Sequence, residues 1–191
     1  AGPPDRGGRR RSRGRFMTQA SDAVLPPGSV IGIMGGGQLG RMIAMAAARL
    51  GYRCCVLCES ESDSAARVCD SVIAAPYDDP AALQRFADCV DVVTFEFENL
   101  PGEAADWLSA HTLVRPNVRA LEIAQDRVLE KSFLNDRGIA TAPWAEIKDA
   151  ATLAETEERI GSPAVFKTAR FGYDGKGQAM IRDRGQLADA W

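Results

Sequence analysis

The segment that most constrains the fold of this chain is residues 30–50. It opens with VIGIM, a short apolar run that predicts a buried strand. The sequence GGGQLG follows at residues 35–40, and a helix is predicted from residue 38 to residue 50. A buried strand that runs through a glycine turn directly into a helix is typical of α/β proteins with a parallel sheet. We expect the apolar face of this helix to consist of Leu39, Met42, Ile43, Ala46 and Ala47.

The alternation of strand and helix continues to about residue 116. It implies a parallel sheet that helices cover on both faces. The first glycine turn then lies at the carboxyl end of its strand, where open α/β sheets bind ligands. Further strands are predicted at residues 54–58, 71–74, 92–95 and 113–114, and helices at residues 62–68, 80–87 and 101–110.

The pattern changes after Pro116. A strand at residues 164–167, a glycine-rich turn at residues 172–177 and a strand at residues 178–182 predict an antiparallel hairpin instead of another crossover. The other predicted elements are helices at residues 118–137 and 151–160, an extended segment at residues 139–144, and a last helix from about Gln186.

The chain therefore divides into three parts. Residues 1–28 form an Arg-rich tail and linker, residues 29–116 a Rossmann-like parallel-sheet domain, and residues 117–191 the beginning of a second α/β domain. The tail carries six arginines and one acid before Met17, and we expect it to be disordered. We interpret it as sequence upstream of a natural start at Met17, with a nucleic-acid arm and a transit peptide as the alternatives.

The charge of the chain bears on its partners. Of 23 basic and 26 acidic residues, 17 and 25 remain when the tail is set aside. An acidic body argues against nucleic acid as the main partner. No apolar run approaches the ~20 residues that cross a bilayer, so we expect no membrane partner.

The five cysteines include a C-x-x-C pair, Cys55 and Cys58, which raises the question of a metal or redox site. No second pair follows, and the single histidine, His111, is far away in sequence. We therefore favour buried, reduced thiols, no metal site and a cytoplasmic location.

The first glycine loop satisfies the pattern G-x-G-x-x-G at residues 35–40. Glycines let a backbone approach a phosphate closely, and the N–H groups at a helix N-terminus favour an anion. Three interpretations stay open from this motif alone: a dinucleotide such as NAD, another phosphorylated ligand, or a tight turn that binds nothing.

The second glycine loop follows a strand that ends at Lys167. A lysine in this place can put its ammonium group on a phosphate. A flexible hairpin that carries Lys176 can close over a triphosphate and exclude water. The alternative is a surface hairpin with a solvated lysine.

Six short motifs together resemble the 5-(carboxyamino)imidazole ribonucleotide synthase family of the ATP-grasp superfamily. The resemblance covers residues 30–191 and rests on the order and spacing of the motifs more than on any one of them. They are GGGQLGRM at residues 35–42, TFEFEN at 94–99, RP at 115–116, QDRVLEK at 125–131, TAPW at 141–144 and GYDGKGQ at 172–178.

The resemblance implies a reaction and a fold. ATP, bicarbonate and 5-aminoimidazole ribonucleotide would give the N-carboxylated ribonucleotide, ADP and phosphate through carboxyphosphate, in purine biosynthesis. Residues 29–116 would be the pre-ATP-grasp domain and residues 117–191 the truncated beginning of the ATP-grasp domain. Mg²⁺ would be needed, with its ligands beyond Trp191, and the full-length enzyme would be a homodimer.

The resemblance also implies roles for individual residues. Tyr173 and Asp174 are the candidate catalytic residues, because they would lie where ATP meets the substrate amine. Glu96 could instead cap a helix, and Arg127 could pair with a neighbouring acid. The ribonucleotide would contact Gly36, Gly37, Gln38, Leu39 and Glu96. ATP would contact Arg127, Lys167, Gly172, Tyr173, Asp174, Gly175, Lys176, Gly177 and Gln178.

Complete members of this family are longer, so we expect the 191-residue chain alone to be inactive. Two other functions compete with the ligase. One is an NAD-dependent oxidoreductase that uses the first glycine loop, and the other is a nucleic-acid-binding module that uses the arginine tail.

Overall fold

The computed structural model of the protein describes residues 24–172, 175–183 and 185–191. The predicted disordered tail up to residue 23 lies outside these residues, as do Tyr173, Asp174 and Arg184. Within the described ranges, no helix has both the length and the apolar character needed to cross a membrane.

A parallel sheet forms the first part of the molecule, as the alternation predicts. Its strands lie in the order β3-β2-β1-β4. The predicted strand at residues 113–114 is reduced to a single parallel bridge between Val114 and Val93. The four strands are β1 (Val30–Met34), β2 (Arg53–Cys58), β3 (Ser71–Ala74) and β4 (Val92–Phe95).

Helices cover both faces of this sheet. They are α1 (Gln38–Arg49), α2 (Pro80–Cys89) and α3 (Gly102–His111). Asp79 caps α2 by accepting hydrogen bonds from the N–H groups of Ala81 and Ala82. Apolar side chains of α2 and α3 pack on one face of the sheet, and those of α1 pack on the other.

The buried face of α1 differs from the predicted one. Gly40, Ala44 and Ala47 are buried, whereas the side chains of Leu39 and Met42 are 56% and 63% exposed. The small residues let the helix lie close to the glycine turn, since a Cβ at Gly40 would be 2.7 Å from the carbonyl oxygen of Gly35. The close approach of α1 to the glycine turn, more than the size of its apolar side chains, therefore determines which face of the helix is buried.

Residues 62–68, predicted as a helix, form turns instead. The Asp63 carboxylate accepts from the N–H of Ser60, at 3.3 Å, and the N–H of Ala65 donates to the carbonyl oxygen of Gly36, at 2.8 Å. These two hydrogen bonds give the Asp63 carboxylate and the Ala65 N–H partners that do not belong to a regular helix.

The helix predicted at residues 118–137 is two helices, α4 (Val118–Gln125) and α5 (Arg127–Asp136). Asp126 separates them with an extended backbone conformation. Its carboxylate accepts from the N–H groups of Val128, at 2.8 Å, and Leu129, at 3.2 Å, and so caps α5.

The remaining elements agree with the predicted pattern. Asp149 and Thr152 form a capping box at the start of α6 (Ala150–Ile160), and Gly161 ends this helix with φ 73°. The hairpin consists of the antiparallel strands β5 (Ala164–Lys167) and β6 (Gln178–Ile181), and α7 (Gln186–Ala190) follows.

Candidate functional site

The first glycine loop lies at the carboxyl end of β1, between the ends of β2 and β4. The N–H of Gly35 donates to the carbonyl oxygen of Leu57, at 3.0 Å, and the N–H of Glu96 donates to that of Met34, also at 3.0 Å. These bonds extend the strand pairing into the loop. The end of β4 therefore places Glu96 beside the glycines, so the structure brings together residues that the sequence assigns to one ligand.

The Glu96 carboxylate occupies the N-terminus of α1. Its Oε2 atom accepts a hydrogen bond of 2.6 Å from the N–H of Gly37. A carboxylate is favoured there by the partial positive charge of the helix N-terminus. A Cβ atom at Gly37 would collide with this carboxylate, and one at Gly40 would lie 2.7 Å from Oε2. These two glycines thus make room for an anion that belongs to the protein itself.

A second carboxylate, that of Asp63, lies against Gly36. A Cβ atom at Gly36 would collide with Asp63 and would lie 2.7 Å from the Cβ atom of Cys58. Nothing in the sequence marks Asp63 as a site residue, because only the turn at residues 62–68 brings it back to the loop.

Tyr77 adds a hydroxyl group to this edge of the sheet. Burial raises its pKa to about 12, and the negative charges of Glu59, Asp63 and Glu96 contribute in the same direction. Its ring packs edge-on against Phe97, with 6.2 Å between the ring centroids. We call Glu59, Asp63, Tyr77 and Glu96 the acidic rim of the first loop.

The acidic rim determines which ligand groups suit this loop. Carboxylates accept hydrogen bonds from hydroxyl and amino groups, whereas a phosphate dianion beside them is repelled. The predicted neighbours Gln38 and Leu39 are both exposed, and Gln38 accepts from the Ser64 hydroxyl at 3.1 Å. The arrangement therefore favours a polyhydroxylated or amino ligand over a pyrophosphate on the N-terminus of α1.

The second glycine loop joins β5 to β6. Lys167 lies opposite Gln178 in the register of the hairpin, and Val165 lies opposite Met180. All four side chains are exposed, and alternation along the strands puts them on one face. That face combines a cation, an amide and two apolar groups, which suits a ligand with both a phosphate and an aromatic ring. Nothing in the sequence separates Val165 and Met180 from core residues.

The glycines of the second loop enclose Thr168. A Cβ atom at Gly177 would lie 2.6 Å from the Thr168 Oγ1 atom, and one at Gly172 would lie 3.0 Å from it. Gly175, with φ 79°, would have no neighbour nearer than 3.7 Å. Lys176 is exposed. The candidate catalytic residues Tyr173 and Asp174 lie outside the described residues.

Arg127 lies where the second loop begins. Its backbone N–H donates to the carbonyl oxygen of Ala169, at 2.9 Å, and its guanidinium donates to that of Gly172, at 3.0 Å. The break at Asp126 makes Arg127 the first residue of α5 and directs it to the loop. Arg127 and the glycine hairpin, both assigned to ATP from the sequence, are therefore neighbours.

The cysteines belong to the core of the first sheet. Cys55 packs on the α2–α3 side and Cys58 on the α1 side, because residues three apart on a strand point to opposite faces. The C-x-x-C pair therefore cannot hold one ion between its two sulfur atoms. Burial raises the pKa of Cys54 to about 11 and that of Cys69 to about 12. Over the described ranges, no group of three or more His, Cys, Asp or Glu residues could hold a metal ion.

An open groove of about 860 Å³ lies apart from both loops, between α5, residues 140–146 and the end of α6. Trp144 lines it and donates from Nε1 to the Asn135 side-chain oxygen, at 2.9 Å. This contact holds the extended segment against α5, which agrees with a packing role for Trp144.

Comparison with known families identifies the fold. The model of the ribonucleotide synthetase preATP-grasp domain matches residues 29–125, just over half of the chain. The chain belongs to this family. The model of the ATP-grasp domain matches residues 132–191, so this preATP-grasp chain continues into a second, ATP-grasp segment. The predicted fold class is confirmed.

Several relatives of this preATP-grasp chain are named as N5-carboxyaminoimidazole ribonucleotide synthases. A Brucella melitensis protein named N5-carboxyaminoimidazole ribonucleotide synthase is 52% identical over 157 residues, which cover 82% of this chain and 43% of the relative. A solved ADP complex of an N5-carboxyaminoimidazole ribonucleotide synthetase has 38% identity and a TM-score of 0.83, covering 89% of this chain and 45% of that one. The resemblance noted in the sequence is confirmed.

A third relative was solved with two ligands. The Aspergillus clavatus N5-carboxyaminoimidazole synthase, in complex with ADP and 5-aminoimidazole ribonucleotide, has 26% identity and a TM-score of 0.74, covering 85% of this chain and 43% of that one. The chain spans less than half the length of each of these relatives.

Proposed function

We propose that this chain is the N-terminal part of an ATP-dependent carbon–nitrogen ligase that carboxylates 5-aminoimidazole ribonucleotide with bicarbonate, in purine biosynthesis. The observation that carries the proposal is the pairing of an acceptor-rich loop with a cation-bearing hairpin, in a chain that is 52% identical to a named synthase. The two ligands in the solved complex of the Aspergillus clavatus relative, ADP and 5-aminoimidazole ribonucleotide, match these two chemistries.

The hairpin is the proposed ATP site. Lys167 and Arg127 supply positive charge for the triphosphate, and Val165 and Met180 offer an apolar surface for the adenine ring. The loop covers the phosphates and keeps water away from them. Its proposed ATP contacts are Gly172, Tyr173, Asp174, Gly175, Lys176, Gly177 and Gln178.

The acidic rim is the proposed ribonucleotide site. Glu96 accepts hydrogen bonds from ribose hydroxyl or amino groups, and Gly36, Gly37, Gln38 and Leu39 line the approach. The phosphate of the ribonucleotide lies away from the N-terminus of α1, because the Glu96 carboxylate already accepts from Gly37 there. The same contact disfavours the alternative NAD-dependent oxidoreductase, which needs a pyrophosphate in this place.

The proposed reaction has three steps. An oxygen of bicarbonate attacks the γ-phosphorus of ATP, which forms carboxyphosphate and releases ADP. Carboxyphosphate then breaks into carbon dioxide and phosphate, and the substrate amine attacks the carbon and loses a proton. Asp174 is proposed to accept the hydrogen bond of this amine, with Tyr173 beside it. Exclusion of water matters because carboxyphosphate hydrolyses readily.

The whole protein is proposed to be a cytoplasmic homodimer that does not act on nucleic acid or membranes. Mg²⁺ would neutralise phosphate charge in such an enzyme. The chain spans less than half the length of its relatives, so we propose that the Mg²⁺ ligands lie in the part of those relatives that this chain does not match. For the same reason, we expect the 191-residue chain alone to make no product.

The test is phosphate release from ATP by the full-length protein. We expect release to require both 5-aminoimidazole ribonucleotide and bicarbonate, and we expect ATP to raise the melting temperature. NAD should have no effect on melting. Heat protection by NAD without protection by ATP would overturn the proposal. Product formation by the 191-residue chain alone would overturn only the expectation that this part is inactive by itself. DNA binding that weakens with salt and is lost without residues 1–16 would favour the nucleic-acid alternative.

A further inference from the structure

The side chain of Gln125 connects the two glycine loops. Its Nε2 group donates to the carbonyl oxygens of Glu98 and Leu100, each at 2.8 Å. Its Oε1 atom accepts from the guanidinium of Arg170, at 2.9 Å. Both N–H groups of the amide and its oxygen are therefore used, and the partners come from two segments that are far apart in sequence, residues 98–100 and Arg170.

One end of this connection is next to the acidic rim. Residues 98–100 lie two residues after the end of β4 and form a turn in which the N–H of Leu100 donates to the carbonyl oxygen of Glu98, at 2.8 Å. Leu100 is buried in the core at 4% exposure, so the turn is anchored. Glu98 is two residues from Glu96, so the carbonyl groups that accept from Gln125 lie close in sequence to the carboxylate of the first loop.

The other end of the connection is the entry to the hairpin loop. Arg170 precedes Phe171, whose φ of 61° is the only left-handed value among the described residues other than glycine. Such a conformation is costly for a bulky side chain and persists only where neighbouring contacts hold it. Gln125 holds Arg170 on one side of Phe171, and Arg127 holds Gly172 on the other.

The break between α4 and α5 makes this arrangement possible. Asp126 turns the backbone, so that Gln125 ends one helix and Arg127 begins the next. In an uninterrupted helix, two residues that are two positions apart point in different directions. With the break, both side chains reach the segment at residues 170–172.

We propose that Gln125 is a positioning residue that couples the two loops, so that ribonucleotide at the acidic rim strengthens nucleotide binding at the hairpin. The inference rests on the proposed function, because it takes its two ligands from there. A ligand that donates a hydrogen bond to Glu96 moves or fixes the turn at residues 98–100, and the Gln125 amide transmits that change to Arg170. Coupling of this kind is reciprocal, because it is a free energy shared by the two sites.

The test is the affinity of the full-length protein for ADP, measured by titration calorimetry with and without saturating 5-aminoimidazole ribonucleotide. We expect the ribonucleotide to tighten ADP binding in the wild type at least about fivefold, the lower range of measured couplings. Gln125→Met keeps the size of the side chain and removes all three hydrogen bonds, and it should bring this ratio to about one.

Two further variants separate the halves of the connection. Gln125→Glu keeps an acceptor for Arg170 but loses the donors to residues 98–100. It should abolish the coupling while leaving the affinity for ADP alone near that of the wild type. Arg170→Met should abolish the coupling from the other side, and the double variant with Gln125→Met should add nothing further. Gln84→Met is the control, because Gln84 is exposed on α2 and its side chain donates to Asp88 one turn further along the same helix.

The outcomes are distinct. An unchanged ratio in folded Gln125→Met, or no tightening in the wild type, would overturn the coupling role. Should Gln125→Met fail to fold, Gln125→Glu and Arg170→Met decide the question on the same ratio. A failure of the proposed function would instead appear as wild-type protein that releases no phosphate from ATP in the presence of ribonucleotide and bicarbonate.

Discussion

The two loops are both rich in glycine and have opposite surroundings. At residues 35–40, the space that side chains would fill is taken by the carboxylates of Glu96 and Asp63. At residues 172–177, two glycines pack on Thr168, a Cβ atom at Gly175 would have no neighbour nearer than 3.7 Å, and Lys176 is exposed. A glycine in these loops thus indicates that another group lies close to the backbone. The charges of the neighbouring side chains indicate whether that group belongs to the protein or to a ligand.

The largest expected effect is on folding, in the first loop. Gly36→Ala should lower the free energy of unfolding by about 3 kcal/mol, since the new methyl group meets the Cβ atoms of two other residues, which cannot move aside easily. Chemical denaturation measures this. Gly102→Ala, where a Cβ atom meets nothing within 4 Å, should change it by about 0.5 kcal/mol or less. Equal losses in the two variants would show that the close packing of the first loop is not what requires glycine.

The second prediction concerns the charge of the hairpin. Lys167→Ala in the full-length protein should raise the KM for ATP about 10- to 100-fold, because a hydrogen bond to a charged group contributes about 1.5–3 kcal/mol. The KM for the ribonucleotide should change less than about threefold, within the range of indirect effects. Steady-state kinetics measures both constants. Lys148→Ala is the control, since Lys148 is exposed and forms a surface ion pair with Glu146. A similar rise in both KM values would contradict the proposal that the hairpin binds ATP and the first loop binds the ribonucleotide.

The third prediction addresses the carboxylate of the first loop. Glu96→Gln should weaken ribonucleotide binding about tenfold, because a neutral acceptor makes a weaker hydrogen bond than a carboxylate. It should leave the KM for ATP nearly unchanged. Calorimetric titration with the ribonucleotide measures the effect, and Glu103→Gln, in the exposed first turn of α3, is the matched control. Tighter ribonucleotide binding by Glu96→Gln would mean that the ligand phosphate, and not its hydroxyl groups, lies at this loop.

The smallest expected effect is a pH dependence confined to the first domain. Thiols ionise near pH 9 in the unfolded chain, whereas burial raises the pKa of folded Cys54 to about 11 and that of Cys69 to about 12. The unfolded state therefore releases protons that the folded state keeps. Stability should be complete below pH 9 and should fall as the pH rises from 9 towards 12.

Denaturation at a series of pH values measures this loss of stability. Hydrogen exchange of the backbone amides then shows in which domain the loss occurs. The second domain has no cysteine, so its amides should respond less. The variant Cys54→Ala combined with Cys69→Ala should flatten the decline in the first domain. A decline of the same steepness in that variant would assign it to other groups.

Most of the fold could be predicted because it depends on local sequence. Each strand is an apolar run bounded by turn residues, and Pro80 and Gly161 begin and end helices as their backbone preferences require. The split at Asp126 could not be predicted, because Asp126 is compatible with a helix. The break goes together with long-range contacts. Gln125 and Arg127, on either side of it, donate to carbonyl groups that are 25 and 45 residues away in sequence.

The candidate site was predictable to a similar extent. Glu96 follows an apolar strand, and Lys167 ends one, so their positions at the sheet ends could be inferred. Asp63, Tyr77 and Gln125 gave no such signal, because each joins the site through a turn or a helix end. The buried face of α1 was misjudged for a related reason, since hydrophobicity ranks Leu39 above Gly40 while packing selects the smaller residue.

The hairpin has a practical consequence for experiments. In the part of the chain that the structure describes, β5 and β6 pair only with each other, and a two-stranded ribbon is marginally stable in water. Trypsin, which cuts after lysine and arginine, should reach Lys167 and Lys176 long before the bonds inside the four-stranded sheet. The rate of digestion at these lysines would then report nucleotide arriving on the ribbon, without any label on the protein.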